Sequence, residues 1–176
     1  MKKPSTLPVD VFRFCPRCGS SFNVQDDRSF LCAGCGLHYF INASAAVCAL
    51  IIDQQDRLLL TIRGHDPGKG MLDLPGGFVN PLETAEEALR RELREELNLE
   101  IDTFAYFGSS PNRYVFSGLT YFTLDLAYVC QARDLSGLKP GDGVAGALFV
   151  PVSEVDLDTI AFESIRGIIE AYRKSR

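Results

Sequence analysis

The stretch GGFVNPLETAEEALRRELREEL, from Gly76 to Leu97, constrains this chain more than any other part of its sequence. Six glutamates fall within the fourteen residues from Glu83 to Glu96, after a glycine pair. A solvated surface helix intersperses its acids with lysines, whereas a site for a divalent cation gathers several carboxylates. The stretch therefore predicts a short helix that holds a metal ion.

The capping residues predict where this helix begins and ends. Thr84 and Glu87 fit the S/T-x-x-E capping box, in which each side chain accepts a hydrogen bond from the backbone amide of the other residue. Asn98 stands where a left-handed cap is needed, and Asn is the second choice there after Gly. We therefore expect the helix to run from Ala85 to Leu97.

Two sets of side chains occupy neighbouring faces of the helix. At about 100° per residue, three carboxylates share one face, namely Glu92, Glu95 and Glu96. An adjoining apolar stripe that can pack on a sheet consists of Leu89, Leu93 and Leu97. Surface ion pairs with neighbouring arginines are the alternative interpretation. They explain the crowding poorly, because like charges one turn apart destabilise a helix by about 0.2–0.5 kcal/mol. Oxygen ligands favour Mg²⁺ or Mn²⁺.

The spacing of these residues resembles the Nudix box, G-x5-E-x7-R-E-U-x-E-E-x-G-U, where U is a bulky aliphatic residue. Gly77, Glu83 and the run Arg91–Leu99 match every specified position except the final glycine, which is Asn98 here. The left-handed cap explains why Asn replaces that glycine. The resemblance extends from about Ala43 to the C-terminus. It implies an α+β fold, an α/β/α sandwich around a mixed sheet.

The resemblance also implies an activity: hydrolysis of the phosphoanhydride bond in a nucleoside diphosphate linked to another moiety. The catalytic residues that it implies are Glu83, Arg91, Glu92, Glu95 and Glu96. Of these, the expected ligands of Mg²⁺ or Mn²⁺ are Glu92, Glu95 and Glu96, and the pair that orients the helix is Glu83 with Arg91. The candidate substrate-binding residues are Gly76, Gly77, Arg63 and Tyr114.

Two Cys-x-x-Cys pairs, CPRCG and CAGCG, lie thirteen residues apart, and each is followed by a glycine. Four thiolates on two such turns form a tetrahedral site that selects zinc, with iron as the main competitor. A redox pair or two disulfides are alternatives that two matched turns so close together do not favour. The expected ligands of a structural zinc ion are Cys15, Cys18, Cys32 and Cys35. We expect the remaining two, Cys48 and Cys130, to be small residues of the core.

These observations divide the chain into a lead-in (1–12), a zinc ribbon (13–40) and a Nudix domain (41–176). The ribbon lacks a sizeable core and should depend on its metal. In the larger domain we expect a strand at RLLLTIR and a helix within the last nineteen residues, after Leu157. Three separate strands are expected near 101–108, 113–117 and 119–131.

Composition excludes several classes of function. The 176 residues carry a formal net charge of −5, which argues against a nucleic-acid surface built on phosphate contacts. No apolar run approaches the ~20 residues that span a bilayer. The opening MKKPSTLPVD lacks the apolar core of a secretory signal. We expect a cytoplasmic protein whose partners include neither nucleic acid nor membrane, and a homodimer is left open.

A zinc ribbon before a Nudix domain is similar to the NADH pyrophosphatase branch, in which the stretch S-Q-P-W-P-F-P-x-S follows the box. The corresponding stretch here, SSPNRYVFS, matches it at Ser109, Pro111 and Ser117, and Tyr114 replaces its Phe. NADH, ADP-ribose, a flavin dinucleotide or a similar conjugate are therefore all open as substrates. Tyr114 or Phe116 could stack on a base.

Many relatives carry a further acid in the loop before the last strand. Here that loop has Gly143 and Gly146, and only Asp142 remains. We therefore expect Glu95 to be the general base beside the metal, and a mobile loop that substrate orders. The alternative function is a nucleotide-sensing or scaffold protein that keeps the Nudix fold with little turnover. A hydrolase of damaged nucleoside triphosphates is a third hypothesis, which the zinc ribbon disfavours.

Overall fold

The computed structural model describes residues 6–132 and 134–176, in which there are ten strands, three α-helices and two short 3₁₀ helices. The strands are β1 Phe22–Asp26, β2 Ser29–Cys32, β3 His38–Phe40, β4 Ser44–Ile51, β5 Arg57–Arg63, β6 Leu72–Asp73, β7 Gly76–Phe78, β8 Ile101–Phe116, β9 Leu119–Ala132 and β10 Val144–Pro151. The helices are α1 Pro8–Val11, α2 Ala85–Leu97 and α3 Glu163–Lys174, with 3₁₀ turns at Val152–Glu154 and Leu157–Thr159. None of the helices in these ranges has the length and apolar character of a membrane span.

The chain forms two units that are not consecutive in sequence. The first takes the residues up to Ala43 together with Arg113–Phe122, and the second takes Ser44–Asn112 and Thr123–Arg176. The tip of the β8–β9 hairpin therefore belongs to the first unit, and the rest of both strands belongs to the second. The division into domains at 13–40 and 41–176 stays a prediction, because compact units and folding domains need not coincide.

A single buried aromatic side chain organises the first unit, whose strands form the antiparallel sheet β1-β2-β3. Phe30 is fully buried, and its ring centroid lies 4.9 Å from that of Phe22 and 5.9 Å from that of Phe12. So few apolar side chains provide little hydrophobic stabilisation. The stability of this unit must come in large part from other contacts.

The hairpin tip is attached to the rest of the first unit by hydrogen bonds to Thr6. The Thr120 amide donates to the Thr6 carbonyl at 2.7 Å, and the two hydroxyls lie 2.6 Å apart. The turn itself is formed by Ser117 and Gly118, both with positive φ, as a two-residue type I′ loop requires.

Two sheets build the second unit. One has the order β7-β4-β9-β8 and is mixed, since β4 runs antiparallel to β7 and parallel to β9. The other, β10-β5-β6, is antiparallel. The predicted α+β class with a mixed sheet is confirmed.

Alternate residues of β4 face two separate apolar clusters, because successive side chains of a strand point to opposite faces. One cluster contains Val47, Ala49 and Ile51 together with Leu89, Leu93 and Leu97 of α2. The other contains Cys48 and Leu50 together with Ile165, Ile168 and Ile169 of α3. The strand is thus covered by a helix on each face, which confirms the expected α/β/α sandwich. Cys48 and Cys130 are both buried, as predicted.

Helix α2 has the predicted bounds and the predicted caps. The Thr84 hydroxyl accepts from the Glu87 amide at 3.2 Å, and the Glu87 carboxylate accepts from the Thr84 amide at 2.9 Å. Asn98 ends the helix in the left-handed conformation, with φ 55° and ψ 36°. The apolar stripe that was predicted to pack on the sheet is fully buried.

One sequence-based expectation was wrong. Strand β8 runs without interruption through Gly108 and Pro111, where a break between two strands was predicted. It lies at the edge of its sheet, where a proline need not donate a ladder hydrogen bond. The lead-in contains the short helix α1, and the ribbon contains the three strands β1, β2 and β3.

Candidate functional site

Arg91, on α2, holds the loop before the helix and two of its glutamates. Its Nε and Nη2 donate to Glu83 at 2.8 and 2.9 Å. Its Nη1 donates to Glu92 at 2.7 Å and to Glu95 at 3.1 Å. Nη2 also donates to the carbonyl of Phe78 at 2.9 Å. One guanidinium therefore sets the relative position of three carboxylates and strand β7.

Glu83 is held as a carboxylate by this contact. Besides Arg91, it accepts a hydrogen bond from the backbone amide of Asn80 at 2.9 Å. The hydrogen bonds from Arg91, followed by that from Asn80, lower the pKa of Glu83 to about 2. The sequence-predicted orienting pair, Glu83 with Arg91, is brought together by the structure, and its role in catalysis stays a prediction.

Glu96, like Glu92, is partly buried. Its Oε2 accepts from the Gly76 amide at 2.9 Å. Burial, with smaller contributions from the charges of Glu92 and Asp73, raises the pKa of Glu96 to about 8 despite that hydrogen bond. Burial also raises the pKa of Glu92, although Arg91 opposes the shift. Carboxylates that are costly to ionise in this environment fit a bound cation, which would stabilise their charged form.

The glycine pair is required by close approaches. A Cβ on Gly77 would lie 2.5–2.7 Å from the carboxyl atoms of Glu92, so a side chain there would displace that carboxylate. Gly76 has φ +143°, and a Cβ on it would lie 2.1 Å from the carbonyl oxygen of Val47. The obstacle at Gly76 is backbone, so β7 can lie against β4 only with glycine there. The obstacle at Gly77 is the end of the Glu92 side chain, which glycine leaves in place.

The three glutamates of α2 that are candidate metal ligands differ in exposure and in partner. The side chain of Glu92 is 15% exposed and that of Glu95 is 52% exposed. Arg91 binds both of these, whereas the Gly76 amide binds Glu96. Their carboxylate oxygens are not all within 4.8 Å of one another, a spacing that only the four cysteines meet in residues 6–132 and 134–176. Arg91 thus holds two of the three carboxylates on this helix face, and the backbone of β7 holds the third.

Arg63, a predicted substrate-binding residue, has several contacts within the fold. Its Nη1 donates to Asp73 Oδ2 at 2.8 Å, its Nε donates to the Pro67 carbonyl at 2.7 Å, and its guanidinium lies 4.6 Å from the ring centroid of Phe162. Only 20% of its side chain is exposed. These are the contacts of a residue that anchors the loop 64–70, and a role in substrate binding stays a prediction.

Asp73 was missed by sequence reasoning. It is buried, and burial raises its pKa to about 6, while the neighbouring Arg63 opposes the shift. Its Oδ1 accepts from the Leu74 amide at 2.9 Å. The available signal was an acid inside the otherwise apolar segment that precedes the glycine pair.

Tyr114, the remaining substrate-binding candidate, belongs to the first unit, whereas the glutamates belong to the second. Its ring stacks on that of Phe116 with centroids 6.3 Å apart.

Asp142 is the acid left in the loop before β10, and its backbone amide donates a hydrogen bond to the Glu95 carbonyl at 3.2 Å. The structure therefore brings Asp142 next to α2.

The four cysteines of the first unit gather into one cluster. Their sulfur atoms lie within 4.8 Å of one another, with Cys15 and Cys35 at 3.7 Å and Cys18 and Cys32 at 3.4 Å. A disulfide needs about 2.05 Å, and all four thiols are free. A zinc ion with four thiolates at about 2.3 Å has sulfur–sulfur edges of about 3.8 Å. The donor set and spacing therefore fit a four-thiolate metal site.

The two turns that carry these cysteines have the same geometry. The Gly19 amide donates to the Cys15 carbonyl and the Gly36 amide donates to the Cys32 carbonyl, each at 2.9 Å. Both glycines have positive φ, +75° and +70°.

His38, three residues after Cys35, has a side chain that could also bind metal. Its ring packs on that of Phe40 at 4.2 Å, and it is not one of the clustered ligands.

Comparison with known proteins agrees with this geometry. Residues 43–172 match the NUDIX domain family. The chain is 27% identical over 165 residues to the NAD-capped RNA hydrolase NudC of Vibrio atlanticus (strain LGP32), covering 93% of this chain and 60% of that protein. It is 34% identical over 98 residues to the NudC of Pseudomonas aeruginosa (strain LESB58), covering 55% of this chain and 34% of that protein. The chain thus spans less than two thirds of the length of either relative.

Solved structures share the fold. A NUDIX hydrolase from Nitrosomonas europaea has a TM-score of 0.70 at 22% identity, covering 94% of this chain and 92% of that one. The NUDIX domain of NrtR from Shewanella oneidensis, solved in complex with ADP ribose, has a TM-score of 0.63 at 21% identity, covering 77% of this chain and 90% of that one. At these identities the likeness concerns the fold.

Proposed function

The chain belongs to the Nudix family, and from this premise we propose that it hydrolyses the phosphoanhydride bond of a nucleoside diphosphate linked to another moiety. The observation that carries the proposal is the contact of β7 with α2. The Gly76 amide binds Glu96, and the absence of a side chain at Gly77 leaves the Glu92 carboxylate against β7. Backbone and carboxylates meet there, and this is where the proposal places the diphosphate.

In this proposal Glu92, Glu95 and Glu96 would hold Mg²⁺ or Mn²⁺. The metal, when bound, supplies charge neutralisation for the diphosphate and a bound water of lowered pKa. Arg91 keeps Glu92 and Glu95 in place, and its contact with Glu83 keeps the guanidinium itself in place. Charged side chains fixed before substrate arrives need little reorganisation during the reaction.

Glu95 is the proposed general base. Its side chain is 52% exposed, so it can reach a solvent molecule, whereas Glu92 is 15% exposed. The contact with Arg91 at 3.1 Å still fixes its orientation. Asp142 is the competing base, because its backbone lies against the Glu95 carbonyl in the loop before β10.

The names of the similar proteins support a dinucleotide-type substrate. The curated relatives are named for hydrolysis of NAD-capped RNA, and the solved NrtR domain holds ADP ribose. We propose NADH, ADP-ribose, a flavin dinucleotide or a related conjugate as the substrate class. The alternative is a nucleotide-sensing or scaffold protein of the same fold with little turnover.

We also propose that the cysteine cluster binds one structural zinc ion. Four thiolates leave no open coordination position for a substrate. The first unit has only a small aromatic core around Phe30. Zinc binding would therefore supply folding free energy that apolar burial does not.

The deciding experiment is a hydrolysis screen of the purified full chain with Mg²⁺ or Mn²⁺. The substrates are NADH, ADP-ribose, a flavin dinucleotide, an RNA oligonucleotide with an NAD cap, and nucleoside triphosphates. We expect turnover of at least one dinucleotide conjugate, and loss of it in Glu96→Gln but not in the exposed control Glu100→Gln. Binding of these compounds without turnover would favour the sensing protein.

A further inference from the structure

The last turn of α2 carries Glu95 and Glu96, and the backbone carbonyls of a helix end need donors from outside the helix. The Asn98 amide, within the cap, donates to the carbonyls of Leu93 and Arg94. The next three carbonyls accept from a distant loop. The pairs are Asp142 to Glu95 at 3.2 Å, Gly141 to Glu96 at 2.7 Å and Lys139 to Leu97 at 3.0 Å. Loop 139–142 therefore completes the C-terminal cap of the helix that carries the candidate metal ligands.

Gly141 is the closest point of this contact. A Cβ on Gly141 would lie 2.2 Å from the carbonyl oxygen of Glu95 and 3.4 Å from that of Glu96. The first distance is far inside van der Waals contact, and the obstacle is backbone, which cannot rotate away. Any residue other than glycine at this position must move the loop away from the helix.

The same loop is also bound on its other side. Gly143 has φ +70°, and its carbonyl accepts from the Gly64 amide at 2.8 Å at the end of β5. A Cβ on Gly64 would itself lie 2.8 Å from that oxygen. The segment that the sequence led us to expect as mobile is therefore bound both to α2 and to β5. Its glycines permit close backbone approaches.

We propose that Gly141 is a positioning residue, which sets the place of Glu95 and Glu96 in the metal site by allowing loop 139–142 to cap α2. This inference rests on the proposed function, in which these glutamates hold a divalent cation. When the loop is displaced, three carbonyls lose their donors and the last helical turn frays. Glu92 lies one turn earlier in the helix, before the residues whose carbonyls the loop caps, and keeps its position.

The test compares Gly141→Ala with Gly137→Ala in the full chain. Gly137, two residues before that loop, is a matched control, because the nearest atom to its added Cβ is Asn98 Nδ2 at 3.9 Å. We measure the affinity for Mn²⁺ by electron paramagnetic resonance. It should fall about tenfold or more in Gly141→Ala, which is the loss seen when residues that orient metal ligands are removed. It should be unchanged in Gly137→Ala, and saturating Mn²⁺ should restore turnover of Gly141→Ala.

A purely structural role would lower the melting temperature of Gly141→Ala without changing Mn²⁺ affinity, and that result would overturn the proposal. Amide hydrogen exchange of the wild-type chain provides a second test that needs no variant to fold. Because coupling between sites is reciprocal, Mn²⁺ should slow exchange at the Gly141 and Asp142 amides, and unchanged exchange would also overturn it.

The two proposals fail in different ways. Mn²⁺ binding by the wild type without turnover of any substrate would refute the hydrolase and leave the role of Gly141 supported by the binding data. Normal turnover with equal Mn²⁺ affinity in both alanine variants would refute the role of Gly141 and leave the hydrolase supported. A wild type that binds no Mn²⁺ would overturn both.

Discussion

Both carboxylate oxygens of Glu83 accept hydrogen bonds from Arg91, Oε1 from Nε at 2.8 Å and Oε2 from Nη2 at 2.9 Å. Such a bidentate pair fixes the plane of the guanidinium. From that plane Nη1 reaches Glu92 and Glu95. Through Glu83, the loop before α2 therefore controls the position of two candidate metal ligands on that helix.

Glu83→Gln should lower kcat by about tenfold or more, as expected when a residue that orients ligands is lost. It should also destabilise the protein in a pH-dependent way. The folded pKa of Glu83 is about 2, below its ordinary 4.5. Its contribution is therefore complete above pH 4.5 and is lost as the pH falls towards 2.

Urea unfolding at pH 7 and at pH 4 tests this direction of the pH dependence of stability. The difference in midpoint between wild type and Glu83→Gln should be largest at pH 7 and smaller at pH 4. Glu100→Gln is the control, because Glu100 forms an exposed pair with Arg94 at 2.8 Å. A difference in midpoint that grows as the pH is lowered would contradict the ion pair between Glu83 and Arg91.

Glu96→Gln should reduce turnover by at least about 100-fold, because it removes a charged ligand from the proposed metal site. With metal chelated, its stability should equal or exceed that of the wild type at pH 8. The pKa of Glu96 is raised to about 8 in the folded chain, against an ordinary 4.5. The wild type therefore loses stability as the pH rises between these values.

Thermal melts at pH 5 and pH 8 in the presence of a chelator measure this effect. The slope of stability against pH should be smaller in Glu96→Gln. Its amide group can still accept from the Gly76 amide, so the packing is retained. Turnover that is unchanged in this variant would rule out Glu96 as a ligand.

Asp142→Asn and Glu95→Gln should differ in their effect under saturating Mg²⁺. If Glu95 is the general base, Glu95→Gln should lower kcat far more than it raises KM. Asp142→Asn should change kcat little, because the backbone amide that contacts the Glu95 carbonyl remains. A larger loss of kcat in Asp142→Asn would move the base to the loop.

Arg63→Met should destabilise the protein by on the order of 3 kcal/mol, since it leaves the buried Asp73 without its partner. The double variant Arg63→Met/Asp73→Asn should recover part of that loss. Denaturant unfolding measures both. A variant with a raised KM and unchanged stability would instead show that Arg63 binds substrate.

Elemental analysis of the purified chain should find about one zinc per molecule. Cys18→Ser should lose zinc and destabilise the first unit, because the cluster then lacks one thiolate. The buried Cys130, which lies outside the cluster, provides the control, and Cys130→Ala should retain the zinc. Zinc retained in Cys18→Ser with an added ligand such as His38 would contradict the four-cysteine site.

The sequence alone determined those features that depend on neighbouring residues. Thr84, Glu87 and Asn98 set the bounds of α2 through capping contacts within a few residues, and the structure has those bounds. The two Cys-x-x-Cys turns likewise carry their own geometry. Local hydrogen bonds need no partner from elsewhere in the chain, so their sequence signals are dependable.

Only the tertiary structure decided which distant segments meet. The continuous course of β8 depends on its place at a sheet edge, and the pKa of Asp73 depends on burial beside Arg63. The requirement for Gly141 arises from a carbonyl more than forty residues away in sequence, that of Glu95. Contacts between segments so far apart follow from how sheets and helices pack, and no local pattern encodes them.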